Sequence, residues 1–186
     1  MRENIKSKTY LLWNLFVELR KEIVGSQRIR VQIIGVKIAF ISASIGAILV
    51  NKERIDSLLL IIPAFASIFF DYLIYSYGYS IKRIGYYCRK CIEPQLKILF
   101  NWPAKYKLWE EFINSPRVNQ HFSVIGNLGI TILTVILATI EILNSNPPRG
   151  LMFILIMLLG LFLYDVFLHM RKYEKDWSVE KDFKKY

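Results

Sequence analysis

The sequence predicts an all-α integral membrane protein with four transmembrane helices in two hairpins, a small helical cytosolic cap, and both termini on the cytoplasmic side. Three observations predict it. Of 186 residues 54% are apolar, and they concentrate in four windows, Val31–Val50, Leu58–Tyr77, Phe122–Leu143 and Leu151–Met170. Those windows hold 82 residues and only four charged side chains. Each matches the roughly 20 apolar residues that a helix needs to cross a hydrocarbon core of about 30 Å. Second, backbone groups in lipid must be satisfied within the segment, so apolar runs of this length are helices. Third, the formal charge of +10 is unevenly placed. Twenty-one Lys and Arg lie before Val31, between Lys82 and Arg117, or after Met170, against three in the segments Asn51–Ser57 and Asn144–Gly150. The positive-inside rule therefore puts both termini and the central basic segment in the cytoplasm; 27 Ile against 7 Ala hint at a low-GC bacterial genome and so at a bacterial inner (plasma) membrane. A soluble globular fold, a disordered chain and a disulfide scaffold are excluded on composition.

Residues 1–30 form a cytosolic N-terminal segment. Leu11, Leu12, Leu15, Phe16, Leu19 and Ile23 recur on one helical face, which predicts an amphipathic helix along the inner leaflet or against the cytosolic domain. Charged residues rather than a cleavage site follow this short apolar stretch, so it is not read as a signal peptide. Residues 31–77 make the first hairpin, in which Pro63 is expected to kink the second span. In the basic helical segment, residues 78–121, the second span should run on as one helix as far as Pro94. Pro103 and Pro116 predict further breaks, with a short helix Lys105–Asn114 between them. Residues 122–170 make the second hairpin, and residues 171–186 a cytosolic tail. The hairpins echo each other: Ile34-Gly35 and Ile125-Gly126 precede Asp71 and Asp165 by 36 and 39 residues, counted from each glycine. Such spacing suggests a parallel internal repeat.

Ionisable side chains inside the windows are the first functional signal. Lys37, Asp71 and Asp165 each fall 13 or 14 residues inward from the outer end of their span, and Asn127 is close to the same depth. At about 1.5 Å per residue this is one belt roughly 20 Å from the outer face. Charges at such depth cost about 2.5–3.5 kcal/mol each on insertion scales and mark functional sites by default. Two readings stand side by side: a structural pair of Lys37 with Asp71 or Asp165 that fixes helix register, or an ion path lined by carboxylates repeated around an oligomer. Small residues at Gly35, Ala39, Ala43 and Ala47, and at Gly126, Gly129, Thr131, Thr134 and Ala138, fit bundle packing or contacts between subunits, or, at Ser42, Ser44, Thr131 and Thr134, a polar pore lining.

Motifs for catalysis are missing. There is no Gly-rich phosphate loop, no Ser-x-x-Lys, no His-Glu-x-x-His and no Gly-x-Ser-x-Gly. Cys88-x-x-Cys91 lacks a second ligand pair, so its thiols read as buried neighbours of Ile84 and Ile92. No catalytic residue, cofactor or metal is expected, and the chain is not read as an enzyme. The basic segment carries Lys82, Arg83, Arg89, Lys90, Lys105 and Lys107 among Tyr86, Tyr87, Trp102, Tyr106 and Trp109. Cations interleaved with aromatic platforms suit a nucleotide or oligonucleotide. The same residues also suit topology and anionic lipid headgroups.

The run Lys82-Arg83-Ile84-Gly85-Tyr86-Tyr87, continued by Ile92-Glu93-Pro94 and Trp109-Glu110, resembles a broad group of small bacterial four-span membrane proteins. Some of these are similar to membrane effectors of anti-phage defence operons, including Hailong-type effectors and the accessory membrane proteins of RNA-guided type VI systems. The resemblance implies a homo-oligomeric channel in the lipid bilayer, gated by a cytosolic nucleotide or an operon-encoded cytosolic protein. The expected function is therefore an ion channel or pore-forming effector, with a membrane anchor or a small secondary transporter as alternatives.

Overall fold

A computed structural model describes residues 2–51, 56–103, 121–144 and 149–171; within these, the side chains of 2–8, 57, 121–125, 127 and 169–171 are not described. Every regular element among the described residues is helical. Helix α1 spans Arg2–Val50, so the N-terminal amphipathic stretch and the first apolar window are one helix. A 3₁₀ turn, Ser57–Leu60, leads into α2, Ile61–Tyr87. A π turn, Cys88–Ile92, joins α2 to α3, Glu93–Leu99. Helices α4, His121–Asn144, and α5, Arg149–Arg171, complete the order. Three helical stretches are long and apolar enough to cross a membrane: Thr9–Val50, Leu58–Leu99 and Arg149–Leu168. The described side chains of α4 add a shorter apolar stretch, Leu128–Asn144.

The chain divides into two compact units. Described residues 2–30 and 77–103 belong to a helical hairpin, and residues 31–76, 121–144 and 149–171 to a four-helix bundle.

In the hairpin, Cys88, Ile92 and Leu96 are buried against Leu12, Phe16, Leu19, Ile84 and Cys91. The inward stripe Ile84, Cys88, Ile92, Leu96 repeats every four residues. On a 3.6-residue helix such a stripe drifts by about 40° per step. The π turn takes more residues per circuit and cancels that drift, so Ile92 and Leu96 return to the face of Ile84. Its cause is Pro94. Proline has no N–H to give Lys90 and its ring crowds that carbonyl; the preceding Glu93 N–H reaches back five residues to Cys88 O. The helix expected to stop at Pro94 thus continues, because proline is accommodated in the first turn of α3. It stops at Asn101, whose φ of 51° is left-handed. The Asn101 N–H bonds Ile98 O at 3.2 Å and the Trp102 N–H bonds Lys97 O at 3.0 Å, closing a Schellman motif followed by Pro103.

The bundle core joins all four helices: Ile48 from α1, Ala64 and Ile68 from α2, Val135 and Ala138 from α4, and Leu158 from α5. Its first hairpin turns through Asp56, which caps the 3₁₀ turn by accepting from Leu58 N–H at 2.9 Å. Pro63 is not a mid-helix kink. It is the third residue of α2, directly after the 3₁₀ turn and at the start of the helix rather than its middle. The outer surface is apolar: Phe40, Phe69, Phe153, Ile156, Leu163 and Phe167 are exposed. Soluble proteins rarely expose contiguous apolar surface on this scale, and with helices of this length it indicates a membrane-spanning protein. The expected stripe Gly35, Ala39, Ala43, Ala47 is exposed, whereas Thr131, Thr134 and Ala138 are buried.

Candidate functional site

Each bundle helix has an inward stripe at helical spacing, and each stripe carries a polar group at the same level. On α1 the buried positions are Lys37, Ile41 and Ile48; on α2 they include Ala64, Ser67, Ile68, Asp71 and Ile74. Helix α4 contributes Leu128, Thr131, Thr134, Val135 and Ala138, and α5 contributes Leu155, Leu158 and Asp165. Helical periodicity in the neighbouring apolar residues therefore turns these polar side chains inward.

Lys37 is 1% exposed, and Asp71, Asp165 and Thr131 are 0% exposed. The Lys37 Nζ donates to Asp71 Oδ1 at 2.7 Å and to Thr131 Oγ1 at 2.7 Å. The Thr131 hydroxyl donates in turn to the other oxygen of Asp71, closing a ring across three helices. Asp165 lies near enough for its charge to act on both Lys37 and Asp71. Two carboxylates thus share the field of one ammonium in a dry interior, where electrostatic interactions far exceed their strength in water. Beside them the Tyr72 hydroxyl donates to Leu161 O at 3.0 Å, and its ring meets that of Tyr164 edge-on at 6.2 Å.

One helical turn toward the interhelical connections is a second polar layer. Ser67 Oγ and Thr134 Oγ1 are 3.0 Å apart; Ser67 also donates to Ala64 O, and Thr134 to Thr131 O. Further along the same face of α4, Glu141 is half-buried. Among the described residues no group of three or more His, Cys, Asp or Glu side chains is arranged to hold a metal ion. What the arrangement offers chemically is a buried acid–base pair with hydroxyl groups leading away from it.

Three of the four belt residues are therefore together, while the Asn127 side chain lies outside the described residues. Asp71 and Asp165 both face the interior of their own bundle. Ser67 was missed by the sequence reading, although it precedes Asp71 by four residues and so shares its face. Thr131 was read only as a small or pore-lining residue, and its bond to Asp71 had no signal in one sequence.

The basic segment is arranged differently. Lys82, Arg83, Arg89 and Lys90 lie on α2 and the π turn, with Arg83 and Lys90 exposed, Lys82 and Arg89 half-buried, and the Arg89 guanidinium 5.5 Å from the Tyr86 ring centre. Lys105 and Lys107, with Trp109 and the short helix expected around it, lie outside the described residues. Two open grooves in this hairpin do not include the four basic residues. One, of about 510 Å³, is walled by Leu11, Leu15, Ile98 and Leu99; the other, of about 540 Å³, runs from Trp13 to Arg28 along α1. Cys88 is buried in the apolar core and Cys91 packs against it; the two form no disulfide. No protein-family model matches the sequence, and neither a curated protein nor a solved structure matches it.

Proposed function

We propose that this chain is an ion-conducting membrane protein whose cation path runs through its own helix bundle, at the level of Lys37, Asp71 and Asp165. The observation that carries the reading is the burial of two carboxylates and one lysine, each at most 1% exposed, on the inward stripes of otherwise apolar helices. Burying charge is costly, and an apolar bundle of the same helices would stand without it. In this reading the chain crosses the bacterial inner membrane four times, with both termini and the segment after Tyr77 in the cytoplasm; the basic bias of those segments supports this. Assembly into an oligomer, gating by a cytosolic nucleotide or partner at Lys82, Arg83, Arg89 and Lys90, and a role as an anti-phage effector belong to the same proposal. The gate is supported by the exposed Arg83 and Lys90 and by Arg89 over Tyr86.

A second reading is a membrane anchor for a cytosolic partner, in which the charges only fix helix register. The closed ring of Lys37, Asp71 and Thr131 favours it, since buried polar networks specify one packing. Proteoliposomes separate the two. Wild-type protein is expected to collapse a cation gradient, with and without added nucleotides, and Asp165→Asn to reduce the flux while the protein stays folded. Absence of any cation flux under both conditions overturns conduction and leaves the anchor.

A further inference from the structure

The cation path proposed above leaves open which cation moves, and the geometry of the cluster bears on that choice. A sodium or potassium ion entering the belt must displace the Lys37 ammonium from Asp71 and replace its own hydration shell with several oxygen ligands. The space for that is taken. One oxygen of Asp71 accepts from Lys37 at 2.7 Å, the other accepts from Thr131, and Thr131 Oγ1 itself accepts from Lys37 at 2.7 Å. All three side chains are at most 1% exposed.

A proton needs none of that space. Along the 2.7 Å contact the Nζ–H bond of Lys37 breaks and an Oδ1–H bond forms on Asp71, the electron pair remaining on Nζ. The products are a neutral amine and a neutral carboxylic acid. A dry interior disfavours charge, so the transfer removes two charges from it at the cost of one shared hydrogen bond rearranged. Asp71 then gives up the new proton to water on one side, the Oδ1–H bond breaking with its electron pair left on the oxygen. A proton taken up by the Nζ lone pair from the other side restores the ammonium, and one proton has crossed.

The surroundings on every packed helix are compatible with such an exchange. From α2, Tyr72 donates its hydroxyl to Leu161 O and leaves the pair undisturbed. From α5, Asp165 acts on both partners through its charge, and Tyr164 packs on Tyr72. From α4, Thr131 holds Asp71, and Thr134 with Ser67 sets hydroxyls one turn farther along, toward half-buried Glu141 on the same face.

We propose that the cation this protein carries is a proton, and that Lys37 is the group that releases and recaptures it across its contact with Asp71. The inference rests on the conduction reading and deepens it. The test uses the full chain in liposomes under imposed proton, sodium and potassium gradients, each followed separately. Wild type is expected to dissipate the proton gradient and leave the other two. Lys37→Arg retains a cation able to donate to Asp71 but does not surrender its proton, so proton flux should fall to background while thermal unfolding stays cooperative. Sodium or potassium flux without proton flux overturns the proton assignment and leaves conduction standing. Wild-type proton flux in folded Lys37→Arg overturns the role of Lys37. Absence of all three fluxes overturns conduction, and the proton assignment with it. The wild-type selectivity result decides the assignment even where the arginine variant does not fold.

Discussion

The two units solve opposite problems with parts of the same helices. In the bundle, charge is inside and grease outside: Lys37 and Asp71 are buried while Phe40 and Phe69 are exposed. In the hairpin the interior is apolar and the outer face mixed, with Leu11, Val24 and Ile98 exposed among the charges. Cys88, Ile92 and Leu96 are buried, while Lys21, Glu18, Arg83 and Lys90 face outward. Since α1 and α2 contribute to both units, amino-acid preference for the helix is not what changes. In the proposed topology, what changes is the solvent that the outer face must satisfy, hydrocarbon around the bundle and the aqueous and headgroup side around the hairpin.

The sharpest way to break this contrast is to strand a charge. Lys37→Ala leaves Asp71 buried beside Asp165, and removal of one partner of a buried pair costs about 3–5 kcal/mol; thermal unfolding in detergent should show a bundle that is lost or nearly so. Replacing both partners, Lys37→Met with Asp71→Leu, should restore most of that stability and abolish conduction, which tells register-fixing from transport. The hairpin should respond to packing instead. Leu96→Ala is expected to cost about 2–5 kcal/mol, seen as faster hydrogen exchange in α3 while the amides around Asp71 stay protected. A smaller effect is expected at the second polar layer, where Thr134→Val removes the contact with Ser67; interhelical hydrogen bonds of this kind average about 0.6 kcal/mol in a membrane bundle. Least of all should follow Lys21→Ala, since its partner Glu18 and Lys21 itself are about two-thirds exposed and such pairs contribute about 0.5 kcal/mol or less. An unfolding shift as large as that of Leu96→Ala would mean that the face of α1 around Lys21 is not simply solvated.

Much of the bundle was legible because lipid is an exacting solvent. The need to satisfy every backbone group translates directly into long apolar windows, and their charges stand out. Depth counting brought Lys37, Asp71 and Asp165 to one level because a helix rises evenly, so three numbers in a sequence become three neighbours in space. Thr131 could not be ranked above Thr139 or Ser44 by the same means, since a hydroxyl on an apolar helix satisfies itself on its own backbone as readily as it crosses to another; Thr139 does bond Val135 O. The hairpin was less legible. Proline ordinarily reads as a stop, and nothing in a single sequence announces that the π turn ahead of Pro94 would absorb it. Strict four-residue spacing at Ile84, Cys88, Ile92 and Leu96 was the available hint, being too regular for an unbroken α-helix to keep on one face.

The bond between Lys37 and Asp71 also bears on how the chain is made. The ribosome delivers the first apolar window before the second, so Lys37 emerges ahead of Asp71, its partner in the folded bundle. A lone lysine at that depth is held back by about 2.5–3.5 kcal/mol. Asp71 follows only 34 residues later, whereas Thr131 is 94 residues away. Entry of the first two windows as a pair, with the ion bond formed on the way in, would spare that cost, and the ring would then be completed by a helix that arrives afterwards.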